Sequence, residues 1–263
     1  MDYTLGFIGC GNMGGALVTA AAKTTNRIAV CDFDQAKVEK FEKTCGAKGM
    51  TAKEIAKNCR FVVLGVKPQM MQSAVAEFAD VLRARTNVTV ITMAAGLSIA
   101  AIRGFIGADL PVIRIMPNTP VSLGEGMVLY ACQNVAAETE KEFLALFEKA
   151  GVLDKIPESM IDAASALSGC GPAFVYTFAE ALADGGVECG VPRDKAALYA
   201  AQTLLGAAKM LLEYGHPGDL KDAVCSPGGT TIVGVHALEK GGLRNATMDA
   251  VTSAYKRTLE LKK

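Results

Sequence analysis

Residues 226–231, which read SPGGTT, have the composition of a loop that binds an anion. Gly228 and Gly229 permit backbone angles that other residues avoid, and an apolar segment with helical spacing follows them directly. A helix that begins there leaves its first N–H groups without intrahelical partners, and such groups attract negative charge. The alternative interpretation is that Pro227 and the two glycines only separate two helices.

A second glycine-rich segment, Gly9-x-Gly11-x-x-Gly14, follows the apolar stretch TLGFI and leads into a helical pattern. The first glycine permits a tight turn, the second lets a pyrophosphate approach the backbone, and the third packs helix on strand. In this context the motif predicts a dinucleotide site, although a glycine-rich turn without a ligand has the same local pattern.

Asp32 ends the next predicted strand, at the distance from Gly14 where an acidic side chain accepts hydrogen bonds from ribose hydroxyls. A carboxylate there favours NADH and repels a 2′-phosphate. The competing interpretation is that Asp32 or Asp34 caps the helix that follows.

Three further predicted strands end in small or polar residues. Small residues would let a flat ring lie against the backbone, and an amide offers both a donor and an acceptor. Their convergence on one sheet edge favours a shared ligand site over independent turns. They are Lys67 and Pro68, then Ala94, Ala95 and Gly96, and finally Asn118.

Short β-branched runs alternate with amphipathic segments as far as Pro157, and nearly everything beyond it has a helical pattern. Strands alternating with helices predict a mostly parallel, doubly wound sheet that binds ligands at the carboxyl ends of its strands. We therefore predict an α/β fold, with a Rossmann-type dinucleotide-binding domain over residues 1–157. An all-helical domain for substrate binding and dimerisation follows over residues 158–263.

The composition favours a globular protein with a small-molecule partner. The chain has 263 residues, of which 51% are hydrophobic, and its 27 basic and 27 acidic residues cancel. No basic cluster indicates nucleic acid, and charges or glycines interrupt every apolar run before it could span a membrane. Eight cysteines without a CxxC pair suit neither zinc nor a disulfide framework, so we expect reduced thiols in the cytoplasm and no bound metal.

Several motifs, in order and spacing, resemble the pyrroline-5-carboxylate reductase family. They cover almost the whole chain and include GFIGCGNMG, VKP, AAG, MPNTP, LSGCGPAFVY and HPGDLKDAVCSPGGTTIVGVHALEKGG. The resemblance implies NAD(P)H-dependent reduction of 1-pyrroline-5-carboxylate to L-proline, the last step of proline biosynthesis. It also implies homodimers formed through the helical domain, which often assemble into decamers.

The resemblance further assigns residues to cofactor and substrate. The family usually favours NADPH, so Asp32 leaves the choice between NADPH and NADH open. Thr230 and Thr231 would contact the substrate, and Glu158 matches an acidic position near it. The implied cofactor contacts are Gly9, Cys10, Gly11, Asn12, Met13, Gly14, Val66, Lys67, Pro68, Ala94, Ala95 and Gly96.

A cyclic imine that carries a carboxylate suits the SPGGTT segment. The N–H groups of Gly229, Thr230 and Thr231 would hold the carboxylate, while the Thr231 hydroxyl would reach the ring nitrogen. Because the iminium already carries its proton, hydride addition needs no strong general acid. That agrees with the absence of Lys and His between Ile156 and Asp194, where a hydroxyacid dehydrogenase would need a proton donor.

Two alternatives stay open on the residues alone. One is another NAD(P)-dependent reductase of an imine or carbonyl acid, and the other is a dinucleotide-sensing protein without turnover. The missing proton donors disfavour a carbonyl substrate, and the intact SPGGTT segment disfavours a non-catalytic scaffold.

Overall fold

Two compact units make up the chain. The structure is a computed structural model that describes residues 3–260. By the contacts that residues make, the first unit comprises Met1–Cys170 with Ala254–Lys263, and the second comprises Gly171–Ser253.

One sheet forms the centre of the first unit. Its strand order is β3-β2-β1-β4-β5-β6-β7-β8, and within the described residues every neighbouring pair is parallel except β6 with β7. The strands are β1 (Tyr3–Ile8), β2 (Ile28–Cys31), β3 (Lys48–Gly49), β4 (Cys59–Leu64), β5 (Thr89–Thr92), β6 (Val112–Pro117), β7 (Gly126–Gln133) and β8 (Gly151–Lys155).

Helices follow these strands along the chain and cover both faces of the sheet. Short 3₁₀ turns add Pro68–Met70, Thr119–Leu123 and Glu148–Ala150. The helices are α1 (Asn12–Ala21), α2 (Gln35–Cys45), α3 (Ala52–Asn58), α4 (Met71–Ala76), α5 (Ala79–Arg83), α6 (Ile99–Ile106), α7 (Ala137–Phe147) and α8 (Glu158–Ser168).

The alternation of side chains along each strand builds two separate cores. Phe7, Phe61 and Phe143 belong to one cluster, which α1 and α7 cover. Leu64 and Ile102 belong to the other, which α3 to α6 cover. Successive strand residues point to opposite faces, so buried runs such as IAV and FVVL supply both clusters at once. The predicted doubly wound α/β fold is confirmed.

The sequence patterns missed three strands at the outer parts of the sheet. β3 has only two residues, and β7 and β8 follow the last predicted parallel strand. β7 turns back along β6 after the Thr119–Leu123 turn, pairing Ile113 with Cys132 in antiparallel register. An antiparallel return needs no crossover helix, so the strand-helix alternation gives no signal for it.

The second unit is helical, as predicted. Among its described residues the buried hydrophobic side chains are those of Ala183, Ala196 and Ala200, a very small core. Its helices are α9 (Gly171–Glu188), α10 (Arg193–Tyr214), α11 (Pro217–Ala223), α12 (Thr230–Lys240) and α13 (Leu243–Glu260), the last of which extends beyond Ser253.

A buried ion pair fastens α8 to the sheet. Arg114 of β6 is 1% exposed, and its Nη2 donates to Oδ1 of Asp162 at 2.6 Å. Helix α8 packs on β6 and β7 and therefore belongs to the first unit. The boundary between the two units consequently falls after Cys170, although the helical pattern of the sequence begins after Pro157. The predicted division at 157/158 stays a prediction, and its outer ends, residues 1–2 and 261–263, lie outside the described residues.

Replacing Asp162 by alanine should destabilise the first unit strongly. The change leaves the buried Arg114 charge without its shortest partner, and breaking such a pair costs about 3 to 5 kcal/mol. Chemical denaturation of Asp162→Ala measures the loss. Glu148→Ala is the control, because its pair with Lys149 is more than half exposed and contributes less than about 1 kcal/mol. Equal small losses of stability in both variants would contradict a stabilising role for the buried pair of Arg114 and Asp162.

Candidate functional site

The glycine loop between β1 and α1 is held against the neighbouring strand by its backbone. Gly9 has φ of +96°, and a Cβ there would lie 2.6 Å from the carbonyl carbon of Gly65. A Cβ at Gly14 would collide with the Gly9 carbonyl oxygen. At Gly11, by contrast, no described atom other than those of Gly11 and its two chain neighbours lies within 4 Å of the Cβ position. The loop therefore keeps an open cradle at its centre.

This cradle lies at the start of α1. Gly11 is the N-cap residue, and in the described part of the chain no side chain caps it. The first-turn N–H groups thus remain available, and the helix dipole gives them positive character. A pyrophosphate fits such a cradle, since it needs close backbone approach and N–H donors.

Asp32 links the end of β2 to the glycine loop. Its Oδ2 accepts the Cys10 N–H at 2.7 Å, and its Oδ1 accepts the Asp34 N–H at 3.0 Å. Lys37 Nζ lies 3.4 Å from the same Oδ1. Partial burial opposes ionisation, but the hydrogen bonds from Asp34, Cys10 and Lys37 outweigh it and lower the pKa of Asp32. The carboxylate is therefore ionised at neutral pH.

Asp34, and not Asp32, caps α2. The Asp34 side chain accepts the Ala36 N–H at 3.1 Å, so Asp34 is the helix cap and Asp32 is not.

Cys10 of the glycine loop lies beside Asp32. Burial and then the Asp32 charge raise the pKa of Cys10 to about 12. The thiol in the glycine loop is consequently protonated and is no nucleophile.

Two neighbouring cavities collect many of the predicted cofactor residues. The first, which we call the adenosine cavity, has a volume of about 470 Å³, and the second, the lysine cavity, about 350 Å³. The predicted residues that line the adenosine cavity are Gly9, Gly11, Asp32, Val66 and Lys67. Those that line the lysine cavity are Cys10, Gly11 and Asn12.

The remaining predicted cofactor residues line neither cavity. Ala94 is buried and its N–H donates to Thr92 Oγ1 at 3.4 Å, while Gly96 has φ of +77° in the turn before α6. Their cofactor contacts stay predictions. Apart from Asn118, the others are Met13 and Gly14 in α1, Pro68 at the start of the Pro68–Met70 turn, and Ala95.

The amide of Asn118 is used by the chain itself. Its Nδ2 donates to the Ser168 carbonyl at 3.0 Å, and its Oδ1 accepts the Met127 N–H at 2.9 Å. The side chain therefore ties β6 to β7 and to the end of α8, and a cofactor contact through Asn118 stays a prediction.

Glu158 also has partners within the first unit. Its Oε1 accepts the Ile99 N–H at 2.7 Å, at the start of α6, and lies 3.5 Å from Nη1 of Arg114. The carboxylate thus joins α8 to α6 and β6. Its predicted substrate contact is not visible in these interactions and stays a prediction.

The SPGGTT segment forms a tight turn before α12. Gly228 has φ of +68°, and the Gly229 N–H donates to the Ser226 carbonyl at 3.0 Å. That N–H closes the turn in this structure, and its predicted contact with a substrate carboxylate stays a prediction. Gly229 is the N-cap of α12, and among the described residues no side chain caps it, so Thr230 and Thr231 present the first-turn N–H groups.

Lys37 and Lys40 of α2 were not predicted from the sequence. Both line the lysine cavity, and Lys37 also lines the adenosine cavity. The available signal was their spacing after Asp34, because residues three apart on a helix share a face. Without the position of α2 against the glycine loop, however, they resemble ordinary surface lysines.

The doubly wound sheet, the open glycine cradle and the acid at the end of β2 define a dinucleotide-binding protein of the oxidoreductase class. Comparison with known proteins identifies the family. A family model described as pyrroline-5-carboxylate reductase dimerisation matches residues 158–261. A second model, described as NADP oxidoreductase coenzyme F420-dependent, matches residues 4–96.

Full-length relatives agree. The chain is 38% identical to pyrroline-5-carboxylate reductase of Pisum sativum over 99% of this chain and 96% of the relative. It is also 38% identical to that of Methanosarcina acetivorans over 100% of this chain and 99% of the relative. Pyrroline carboxylate reductase of Plasmodium falciparum, solved with NADP bound, superimposes with a TM-score of 0.88 at 31% identity, covering 100% and 99% of the two chains.

The chain belongs to the pyrroline-5-carboxylate reductase family. It is an NAD(P)H-dependent oxidoreductase that reduces 1-pyrroline-5-carboxylate to L-proline, and it carries the family's dimerisation domain, so it is a homo-oligomer. In the part of the chain that the structure describes, no helix combines the length and apolarity needed to cross a bilayer.

Substitution of Gly11 should separate cofactor binding from folding. The Cβ of Gly11→Ala projects into the open cradle and should weaken NADPH binding about tenfold, or roughly 1.4 kcal/mol. Gly14→Ala should instead lower the Tm, because its Cβ meets the Gly9 carbonyl. Fluorescence titration and a melting curve measure both properties.

Gly104→Ala is the matched control for these variants. Beyond its chain neighbours and the adjacent backbone of its own helix, its Cβ would also meet no described atom within 4 Å, but it lies in α6 and lines neither cavity. We expect a gain of up to about 1 kcal/mol in stability and unchanged affinity. Unchanged NADPH affinity in Gly11→Ala would show that the cradle is not the pyrophosphate site.

Proposed function

We propose that the chain binds the carboxylate of 1-pyrroline-5-carboxylate at the start of α12, with Thr231 at the ring nitrogen. The observation that carries this proposal is the uncapped N-terminus of α12, described above, which follows a glycine turn. Thr230 and Thr231 are both exposed at this position of the single chain. Backbone donors, the helix dipole and two hydroxyl groups therefore converge where a small carboxylate can reach them.

Each group has a distinct task in the reaction. The N–H groups of Thr230 and Thr231 fix the carboxylate, and Gly228 and Gly229 give the turn its shape. The Thr231 hydroxyl accepts a hydrogen bond from the iminium N–H, which orients the C=N carbon. The nicotinamide cofactor supplies the hydride. Since the imine nitrogen is already protonated, the product amine forms without a general acid.

The cofactor contacts extend along the edge of the sheet. We propose that Gly9 to Gly14 hold the pyrophosphate, that Asp32 accepts the ribose hydroxyls, and that Val66 to Pro68 and Ala94 to Gly96 line the remaining length. The two cavities and the open cradle at Gly11 support this proposal. We also propose Asn118 and Glu158 as contacts of cofactor and substrate, by resemblance to the family.

The proposal also covers the division into domains, the oligomeric assembly and the cellular location. We place a dinucleotide-binding domain at residues 1–157 and a substrate and dimerisation domain at residues 158–263, supported by the start of α8 at Glu158. Dimers form through the helical domain, and the resemblance extends this to a decamer. All eight cysteines lie within the described residues and are free, which supports the reducing cytoplasm.

Thr231→Ala should lower kcat/KM for pyrroline-5-carboxylate by about a hundredfold, or roughly 2.7 kcal/mol of transition-state stabilisation. Cofactor binding should barely change, and Thr231→Ser should retain much of the activity. Steady-state kinetics and a melting curve on the same samples measure these effects. Thr252→Ala is the control, since among the described residues its hydroxyl bonds the Asp249 carbonyl within its own helix, α13. A folded Thr231→Ala enzyme with normal kcat/KM would exclude the proposed role.

The helical unit should exist only in an oligomer. Leu198 is 58% exposed and Leu205 48% exposed, although both belong to a run of 13 uncharged residues in α10. A single copy buries too little apolar surface to stabilise these helices, and a large subunit interface supplies the rest. Sedimentation at micromolar protein should therefore give a dimer or a larger assembly.

Substitutions can localise that interface. Leu205→Glu should shift the protein towards monomer and lower its Tm, because the charge would be buried between subunits. Val152→Glu adds the same charge to an exposed apolar position of β8 and should change neither property. A stable, active wild-type monomer at micromolar concentration would refute the obligate dimer.

A further inference from the structure

The charge of Asp32 is largely compensated by its own chain. Two backbone N–H groups and the Lys37 ammonium surround the carboxylate, and only 11% of the side chain is exposed. A free carboxylate at this position would repel a 2′-phosphate. One that already accepts three donors, including a cation, repels it much less.

Lys37 lies where a ribose 2′-substituent would emerge. In a dinucleotide fold the acid at the end of the second strand binds the ribose hydroxyls. A phosphate on the 2′-oxygen of that ribose would therefore lie beside Asp32. Lys37 Nζ is 3.4 Å from Asp32 Oδ1. Lys37 and Gly11 line both the adenosine cavity and the lysine cavity, so the two cavities adjoin at this lysine.

The lysine cavity has the charge that a phosphate needs. The charged side chains in its described lining are Lys37 and Lys40, and no carboxylate lines it. In the adenosine cavity, by contrast, Asp32 and Glu77 balance Lys37 and Lys67. A doubly charged phosphate is therefore favoured on the side of α2 that carries the two lysines.

The geometry of α2 lets both lysines act together. Lys37 and Lys40 are three residues apart and share a helix face. The Lys37 side chain is 41% exposed, so its flexible stem can extend the ammonium towards an incoming phosphate while it stays near Asp32. Asp32 would keep the bonds from Cys10 and Asp34, which hold the glycine loop in place.

We infer that Lys37, with Lys40 beside it, binds the 2′-phosphate of NADPH and makes this chain accept NADPH in spite of Asp32. This inference rests on the proposed function, because the bound NADPH is used in that reaction. Binding of the phosphate itself does not depend on turnover. Lys37 is thus a residue that determines cofactor specificity.

The test compares 2′,5′-ADP with 5′-AMP, measured by calorimetry on the intact protein. Lys37→Gln should weaken 2′,5′-ADP by about tenfold or more while changing 5′-AMP by less than about threefold. Lys37→Arg should restore the affinity for 2′,5′-ADP, because it retains the charge. The KM for NADPH should rise in Lys37→Gln, and that for NADH should not.

Lys43→Gln provides the matched control. Lys43 lies on the same helix, pairs with Glu39 at 3.9 Å and lines neither cavity, so its loss should leave both nucleotides unaffected. Equal weakening of 2′,5′-ADP and 5′-AMP in Lys37→Gln would mean that Lys37 acts only through Asp32 and the glycine loop. No change in either would also overturn the inference. Failure to reduce pyrroline-5-carboxylate would instead overturn the proposed function and leave the nucleotide result standing.

Discussion

The hydrogen bond from the Cys10 N–H to Asp32 fixes the glycine loop between β1 and α1. It joins the glycine loop to the end of β2 at 2.7 Å, while Gly9 packs against Gly65 at the end of β4. The loop is thus fixed from both sides, and the start of α1 keeps an open cradle between them. An ionised Asp32 is needed for this arrangement, and its surrounding donors keep it ionised.

The two units differ in how much apolar surface they bury. The sheet of the first unit buries large side chains on both faces, and the Arg114 and Asp162 pair fixes α8 on it. The helical unit leaves large apolar side chains exposed and buries three alanines among its described residues. The first unit is therefore stabilised by its own core, whereas the helical unit buries little apolar surface within a single copy.

Much of this could be predicted from sequence, because local patterns determine it. The alternation of strands and helices, the glycine turn between β1 and α1 and the change to helical periodicity after Pro157 all gave correct expectations of the fold. Details that depend on tertiary neighbours could not be predicted in the same way. The Gly229 N–H closes a turn onto Ser226, and the Asn118 amide bonds Ser168 and Met127. Lys37 lines the two cavities only because α2 packs beside the glycine loop, and the sequence does not show that packing.

Reduction of a cyclic iminium acid needs no proton donor, whereas reduction of a keto acid does. The most direct measurement is the initial rate of NADPH and NADH oxidation with pyrroline-5-carboxylate and with a panel of 2-keto acids, with L-proline identified as product. We expect a kcat/KM for the cyclic imine at least about a hundredfold above that for any keto acid. Comparable turnover of a keto acid, or no turnover of the imine with either cofactor, would contradict it.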